Sequence, residues 1–382
     1  MILSALPWLA SLGCVPADPA VPPMAPEPVP MALTERATES APSPFGCEAR
    51  DPRLDMAAQW IIQWRITHDL PVDTPAIDHA LRLAGSPHVW PMAWTSIQPT
   101  AAENVPPVDK FRQFYATLKP SGEIRCGASS FKDGRGSITW IVVVVDALAD
   151  ATLPPLSAHC PRELSLRGTF LRSARDVALV VTGPDGIPRN HSATLRGREV
   201  VAGAWCDRPG PYRMQLVADV GAGPRPILET VIYADVPVPV EPPVASSVPP
   251  SMQVLQDDRA TLLAWVNTFR VEHGLARLSL HDALTRAADE HSTHMRDRQQ
   301  LAHELEGRTL ETRMKKTGLR SRVVGENVAH APTLEQAHRS LMDSPSHRAN
   351  LLRPEFRHMG PGIIRDDNGY VWVTEMFAAE LR

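Results

Sequence analysis

Gly325-Glu326-Asn327-Val328-Ala329, followed about one helix later by Ser344-Pro345-Ser346-His347-Arg348-Ala349-Asn350-Leu351-Leu352, is the stretch that decides how this chain reads. In the first segment a short Gly-led run presents an acid, Glu326. In the second, Ser344 and Pro345 stand at the N-cap and first position of a helix start, with His347 in the first turn. The positive end of such a helix would keep the imidazole neutral, able to bind metal or take up a proton. His303 lies upstream in a polar stretch ahead of Gly307. Two imidazoles and one carboxylate can hold a divalent metal or move a proton. No other segment points as clearly at chemistry.

Outward from this stretch the pattern is helical from Asp257. Leu262, Trp265, Val266 and Phe269 form one apolar face, and Gly274 is placed to stop the helix. A second helix from about Asp282 has the stripe Leu284, Ala287, Ala288, His291 and Met295. His291 on that stripe reads as a hydrogen-bonded core histidine, and His294 beside it as structural.

These elements in this order resemble a bacterial CAP (SCP-type) domain of the cysteine-rich secretory protein family, over residues 252–382. The carrying residues are Val266-Asn267-Thr268-Phe269-Arg270, Gly274-Leu275, Leu278, the Leu284-to-Met295 stripe, His303, Arg313-Met314 and Gly318. They continue through the two segments quoted first to Phe356, Met359-Gly360, Gly362 and Tyr370-Val371-Trp372-Val373-Thr374-Glu375-Met376-Phe377. The resemblance implies an α/β/α sandwich with a large cleft, lined in many members by two His and two Glu. His303, Glu326 and His347 match three of those positions. The fourth falls near Ser344, so the second Glu is absent. Asp343 is adjacent but is no replacement, and Leu341 stands where a bulky aromatic is usual.

The remaining chain divides at two Pro-rich runs. Residues 15–46 and 237–250 are aperiodic and read as stiff tethers. Residues 47–150 read as a small α+β domain. Asp51-Pro52 starts a helix striped with Leu54, Ala57, Ile61, Trp64 and Ile66, a second helix spans Ala76 to Leu83, and Ile138–Val145 is a β-branched strand. With helices first and a strand last, this domain is a possible degenerate CAP-like copy. Residues 151–236 carry the strand-like runs Leu164–Leu171, Asp176–Val181, Glu199–Ala204, Tyr212–Ala218 and Ile227–Tyr233, an all-β immunoglobulin-like sandwich.

Residues 1–14 are short, apolar and end in Gly13-Cys14, like a secretory signal with a lipoprotein cleavage site. Cys14 would then carry lipid. Cys47, Cys126, Cys160 and Cys206 remain, an even number in an exported chain. Three pairings are open, and chain order favours Cys47–Cys126 and Cys160–Cys206. The net charge of −4 argues against nucleic acid, and no apolar run approaches a bilayer span. The 38 prolines are the one unusual count, and the tethers hold many of them.

The expected protein is secreted or anchored at the cell envelope, touching membrane only through the N-terminal lipid. Its CAP cleft holds a divalent cation, Zn²⁺ by its His/Glu donors, and an extracellular ligand, lipid or protein, without a defined reaction. One alternative is a metal-assisted hydrolase of peptide or cell-wall material, with Glu326 as general base. Another is a structural or adhesive surface protein with a vestigial cleft.

Overall fold

The computed structural model describes residues 45–68, 73–99, 105–242 and 257–381. All belong to one compact unit that spans 39–382. The signal-like segment, Cys14 and most of both tethers lie outside the described residues.

The first region comprises β1 (Ala49–Arg50), α1 (Pro52–His68), α2 (Thr74–Leu83), β2 (Met92–Gln98), α3 (Val108–Tyr115), β3 (Glu123–Lys132) and β4 (Ile138–Ala147). The Asp51 carboxylate accepts the Arg53 backbone N–H at 3.0 Å, which starts α1 where the sequence places it. The sheet order is β1-β3-β4-β2. From Trp140 to Val145 β4 is apolar because both its faces are covered. Ile141, Val143 and Val145 pack under α1 and α2, while Val142 and Val144 join Phe45, Phe111 and Trp140 on the other side. The Cys47–Cys126 disulfide ties the start of this region to β3.

The second region has β5 (Ala149–Thr152), β6 (Ser157–Ala158), β7 (Arg162–Phe170), β8 (Arg175–Thr182), β9 (Pro188–His191), β10 (Ala193–Arg196), β11 (Glu199–Cys206), β12 (Gly210–Asp219) and β13 (Pro224–Ala234). They form two sheets, β10-β11-β7-β5 and β6-β13-β12-β8-β9. Alternate residues of both sheets fill one apolar cluster, including Leu164, Leu166, Leu179, Val200, Met214, Leu216 and Ile232. The five expected runs are the long strands. The four short ones carry too few residues for a period to register. β5 pairs with β7, so the boundary expected at 150 falls inside a strand of this region. The Cys160–Cys206 disulfide closes the region.

The third region has α4 (Asp258–Glu272), β14 (Ser279–Leu280), α5 (Asp282–Arg298), α6 (Leu310–Lys316), β15 (Val324–Ala331), α7 (Leu334–Asp343), α8 (Pro345–Leu351), β16 (His358–Arg365) and β17 (Val371–Ala378). The sheet order is β14-β16-β17-β15. On one face α4, α7 and α8 cover Val371, Val373 and Phe377, and on the other α5 and α6 cover Met376 and Ala378. Strands thus lie between two helical layers. A Cβ on Gly360 would stand 2.3 Å from the Leu284 carbonyl carbon, so α5 rests directly on β16.

The first and third regions share a topology. β1 pairs parallel to β3 as β14 does to β16, and β2 pairs antiparallel to β4 as β15 does to β17. A helix of 17 residues follows the two-residue strand in both. Gly127 meets the Leu54 backbone of α1 just as Gly360 meets Leu284 of α5. From these glycines the register runs Gly127–Val143–Ala93 in the first region and Gly360–Met376–Glu326 in the third. The first region therefore has alanine where the third has its buried acid.

Candidate functional site

β15 is an edge strand, and on it Glu326 and Asn327 point to opposite faces. Glu326 pairs across the sheet with Met376 on the α5–α6 side, and Asn327 with Glu375 on the α8 side. The short Gly-led run that presents Glu326 is thus part of a strand. Gly325 serves close packing, since a Cβ there would lie 2.6 Å from the Phe356 ring.

His303 comes from the loop after α5. Its Nδ1 bonds the Glu326 Oε1 at 2.9 Å. The Arg313 guanidinium, from α6, donates to the other carboxylate oxygen and also to the His303 carbonyl at 3.1 Å. It donates further to His291 Nδ1 at 2.8 Å. His291 Nε2 then carries the hydrogen and donates to the Ala302 carbonyl at 2.9 Å. Burial pushes the His291 imidazole down to about 4, which keeps it neutral in this role. Burial alone would raise the Glu326 carboxyl, but the His303 hydrogen bond and the Arg313 charge hold it below its ordinary range. His294 lies outward, with Nε2 3.1 Å from Glu306.

His347 sits in the first turn of α8. Its Nδ1 is 2.8 Å from Ser344 Oγ, and its ring centroid is 6.5 Å from that of His303. The imidazole is pushed down to about 3, by burial and then by His303, rather than by the helix end. Ser344 holds the N-cap position, but its side chain makes no cap bond. The α8 start is satisfied from the second region instead, where Gln215 Oε1 accepts the Ser346 backbone N–H at 3.0 Å. The Gln215 amide also meets Ser344 Oγ at 3.1 Å and donates to Glu229 Oε2 at 2.6 Å.

Asn327 links the two layers. Its Nδ2 donates to Glu375 Oε2 at 2.9 Å and to the His347 carbonyl at 3.3 Å. Asn350 Nδ2 donates to Asn327 Oδ1 at 2.9 Å and to the Glu326 carbonyl at 3.1 Å. Burial pushes the Glu375 carboxyl up to about 7, against the Asn327 hydrogen bond.

The structure brings His303 and Glu326 into contact and places His347 nearby. Sequence reasoning quoted Arg313, Asn327, Asn350 and Glu375 only as part of a pattern and gave them no role. No local spacing marks them, because their partners lie on other elements. Gln215 had no sequence signal at all.

Glu326 is 5% and His347 7% exposed, so they do not line an open cleft. Glu326 is not placed as a Zn²⁺ ligand. Both Glu326 oxygens are engaged, one by an arginine cation, and the His347 Nδ1 is turned to Ser344. Among the described residues no group of three or more His, Cys, Asp or Glu side chains is placed to hold a metal ion. Asp343 does not supply the missing acid. Burial raises its carboxyl, and the charges that oppose this are Arg213 and Arg348.

Residues 263–377 match the CAP family, described as the cysteine-rich secretory protein family. The chain is 30% identical over 112 residues to the "Uncharacterized protein YkwD" of Bacillus subtilis (strain 168). That match covers 28% of this chain and 42% of the relative, so the chain spans less than half of the relative's length. Among solved structures, an outer surface protein from Borrelia burgdorferi is similar at 19% identity and TM-score 0.31, over 34% of this chain and 96% of that one. An extracellular SCP-domain protein from Bacillus anthracis is similar at 18% identity and TM-score 0.30, over 50% of this chain and 67% of that one.

Proposed function

Since residues 263–377 of this chain are a CAP domain, we propose that the protein is an exported, multidomain binding protein. Its CAP domain recognises an extracellular ligand or partner through the His303–Glu326–Arg313 and His347–Ser344 groups and carries out no reaction. The observation that carries this is the double engagement of Glu326. A carboxylate held ionised by an arginine and a histidine is a poor general base and a poor metal ligand, but a well-fixed hydrogen-bonding platform. Export fits the two disulfides, which persist in oxidising compartments. No helix among the described residues is long and apolar enough to cross a membrane. Under this reading the first region is a CAP-type copy without the acid, and the second an immunoglobulin-like spacer. An N-terminal lipid on Cys14 would hold the chain at the envelope.

One observation bears on a hydrolase of another kind, with a serine nucleophile in place of a metal. Ser344 Oγ and His347 Nδ1 are 2.8 Å apart, within reach of a nucleophile–base pair. Against it, an imidazole near 3 is a weak base, and the same hydroxyl meets the Gln215 amide.

The test is a calorimetric titration of the full chain with Zn²⁺, beside a His303→Ala/His347→Ala variant. Recognition without a metal predicts no specific heat in either. A one-site isotherm in the wild type that vanishes in the variant would sink it and restore metal-assisted chemistry.

A further inference from the structure

Glu326 and His347 are buried and His303 half-buried, and the second region is seated against the loop and helix that carry the two histidines. The turn between β12 and β13 lies against the His303 loop. Glu304 N–H donates to the Ala222 carbonyl at 3.0 Å, and Ala222 packs with Met295, Ala302, Leu305, Val328 and Trp372. A Cβ on Gly223, whose φ is +83, would stand 3.0 Å from the His303 Cβ. This glycine allows the turn to approach the histidine backbone. Further along the same strand, buried Gln215 of β12 caps α8 and meets Ser344, the hydrogen-bond partner of His347. Arg348, next in sequence, donates through Nε to the Gly186 carbonyl at 2.6 Å.

The seat itself is held firm. Gln215 donates to Glu229, whose carboxylate also takes Arg213 at 2.7 Å. The Glu229 backbone N–H donates to the Pro87 carbonyl of the first region at 2.7 Å. Asp219, where β12 ends, accepts the Gly221 N–H at 2.7 Å and pairs with Arg175. The β12–β13 turn is thus a preformed feature, not a loose loop resting by chance.

We propose that the β12–β13 turn and Gln215 form a built-in cover for the CAP site, which a ligand reaches only after the CAP domain leaves this seat. The occupant of the site at rest is this chain's own second region. Gln215 is a positioning residue within it, since it acts on His347 through Ser344 and the α8 start. The inference rests on the reading of His303, Glu326 and His347 as a recognition site, and it deepens that reading by naming the regulation. A cover of this kind makes binding depend on an opening step, so affinity falls by the fraction of molecules that are open.

The experiment is histidine modification of the full chain by diethylpyrocarbonate, mapped by mass spectrometry. His159, with a side chain 97% exposed, is the internal reference. In the wild type His347 should react at least about tenfold more slowly than His159, as expected for a group reached only through a minor open state. Gly223→Trp, which cannot seat the turn, should speed His347 and His303 by about tenfold or more while leaving His159 unchanged. Gln215→Ala should act in the same direction at His347, and it serves if the tryptophan variant does not fold. Equal rates at His347 and His159 in the wild type would overturn the proposal, as would variants that fold and change neither site. The modification reads the cover alone. Zn²⁺ titration of the opened variant separately reads the recognition site: a one-site isotherm there would overturn the metal-free reading while leaving the cover standing.

Discussion

At the scale of single residues, the site in the third region is built from buried polar groups that answer one another across elements. Arg313 is the hub, since its guanidinium meets Glu326, His291 and two backbone carbonyls. Glu375 is answered at one oxygen only. Its Oε2 takes Asn327, but its Oε1 has no hydrogen-bond partner among the described residues. With its carboxyl raised from 4.5 to about 7, the folded state keeps a proton that the unfolded chain has released. The sign follows directly. Below about 4.5 both states are protonated and the contribution is full, and it is lost as pH rises through about 7. The full loss is about 3 kcal/mol at most. Urea unfolding of the full chain between pH 4.5 and 8 should show Glu375→Gln falling less steeply than wild type. Parallel profiles would show that the carboxyl is not held this way.

At the scale of elements, the helix–strand crossings matter most. α1 on β3 and α5 on β16 each need a glycine under the third residue of the helix. At Gly127 an added Cβ would meet the Asp55 nitrogen at 2.1 Å, and at Gly360 the Leu284 carbonyl carbon at 2.3 Å. Backbone cannot step aside as a flexible side chain can, so Gly127→Ala and Gly360→Ala should each cost about 3 kcal/mol or more. Gly274→Ala is the control. Its φ is +72 but its Cβ would meet nothing within 4 Å, so it should cost about 1 kcal/mol. Thermal unfolding of the three variants decides. A Gly127→Ala protein as stable as wild type would mean that the shared crossing is not a real constraint in the first region.

The element scale is also where the sequence misled. Pro345 and Ser344 marked the α8 start correctly, but the cap itself comes from Gln215, which lies on β12. The glycine ahead of Glu326 was given no role in the sequence and is a packing glycine inside β15. At α8 the local signal fixed the position of the element. The partner that answered its polar groups lay on another element, where no periodicity reaches.

For the whole molecule, the cysteines are unevenly placed. Cys47–Cys126 and Cys160–Cys206 close loops with separations of 79 and 46 residues, both ahead of the third region. Each should contribute about 4 kcal/mol by restricting the unfolded chain. Calorimetric unfolding under reducing conditions should therefore lower the transition of the first two regions and leave an intact transition for the third, which has no cysteine. A single transition that falls as a whole would show instead that the seat of the CAP domain on the second region couples all three.

The sequence by itself determined the family of the third region, the long strands of the second and the chief helices of the first, and it favoured the disulfide pairs that the structure then showed. Those features follow from spacing along one chain: a helical or strand period, a cap residue, a helix-stopping glycine, a cysteine count. Only the tertiary structure decided that Glu326 is bound at both oxygens and that Ser344 turns to His347. Only it decided that Gln215 caps α8 and that the β12–β13 turn lies on His303. Each of these joins groups from different elements, and buried polar groups take whichever partner the packing brings within about 3 Å. The choice of partner is therefore made by the assembled fold and not by the residues on either side.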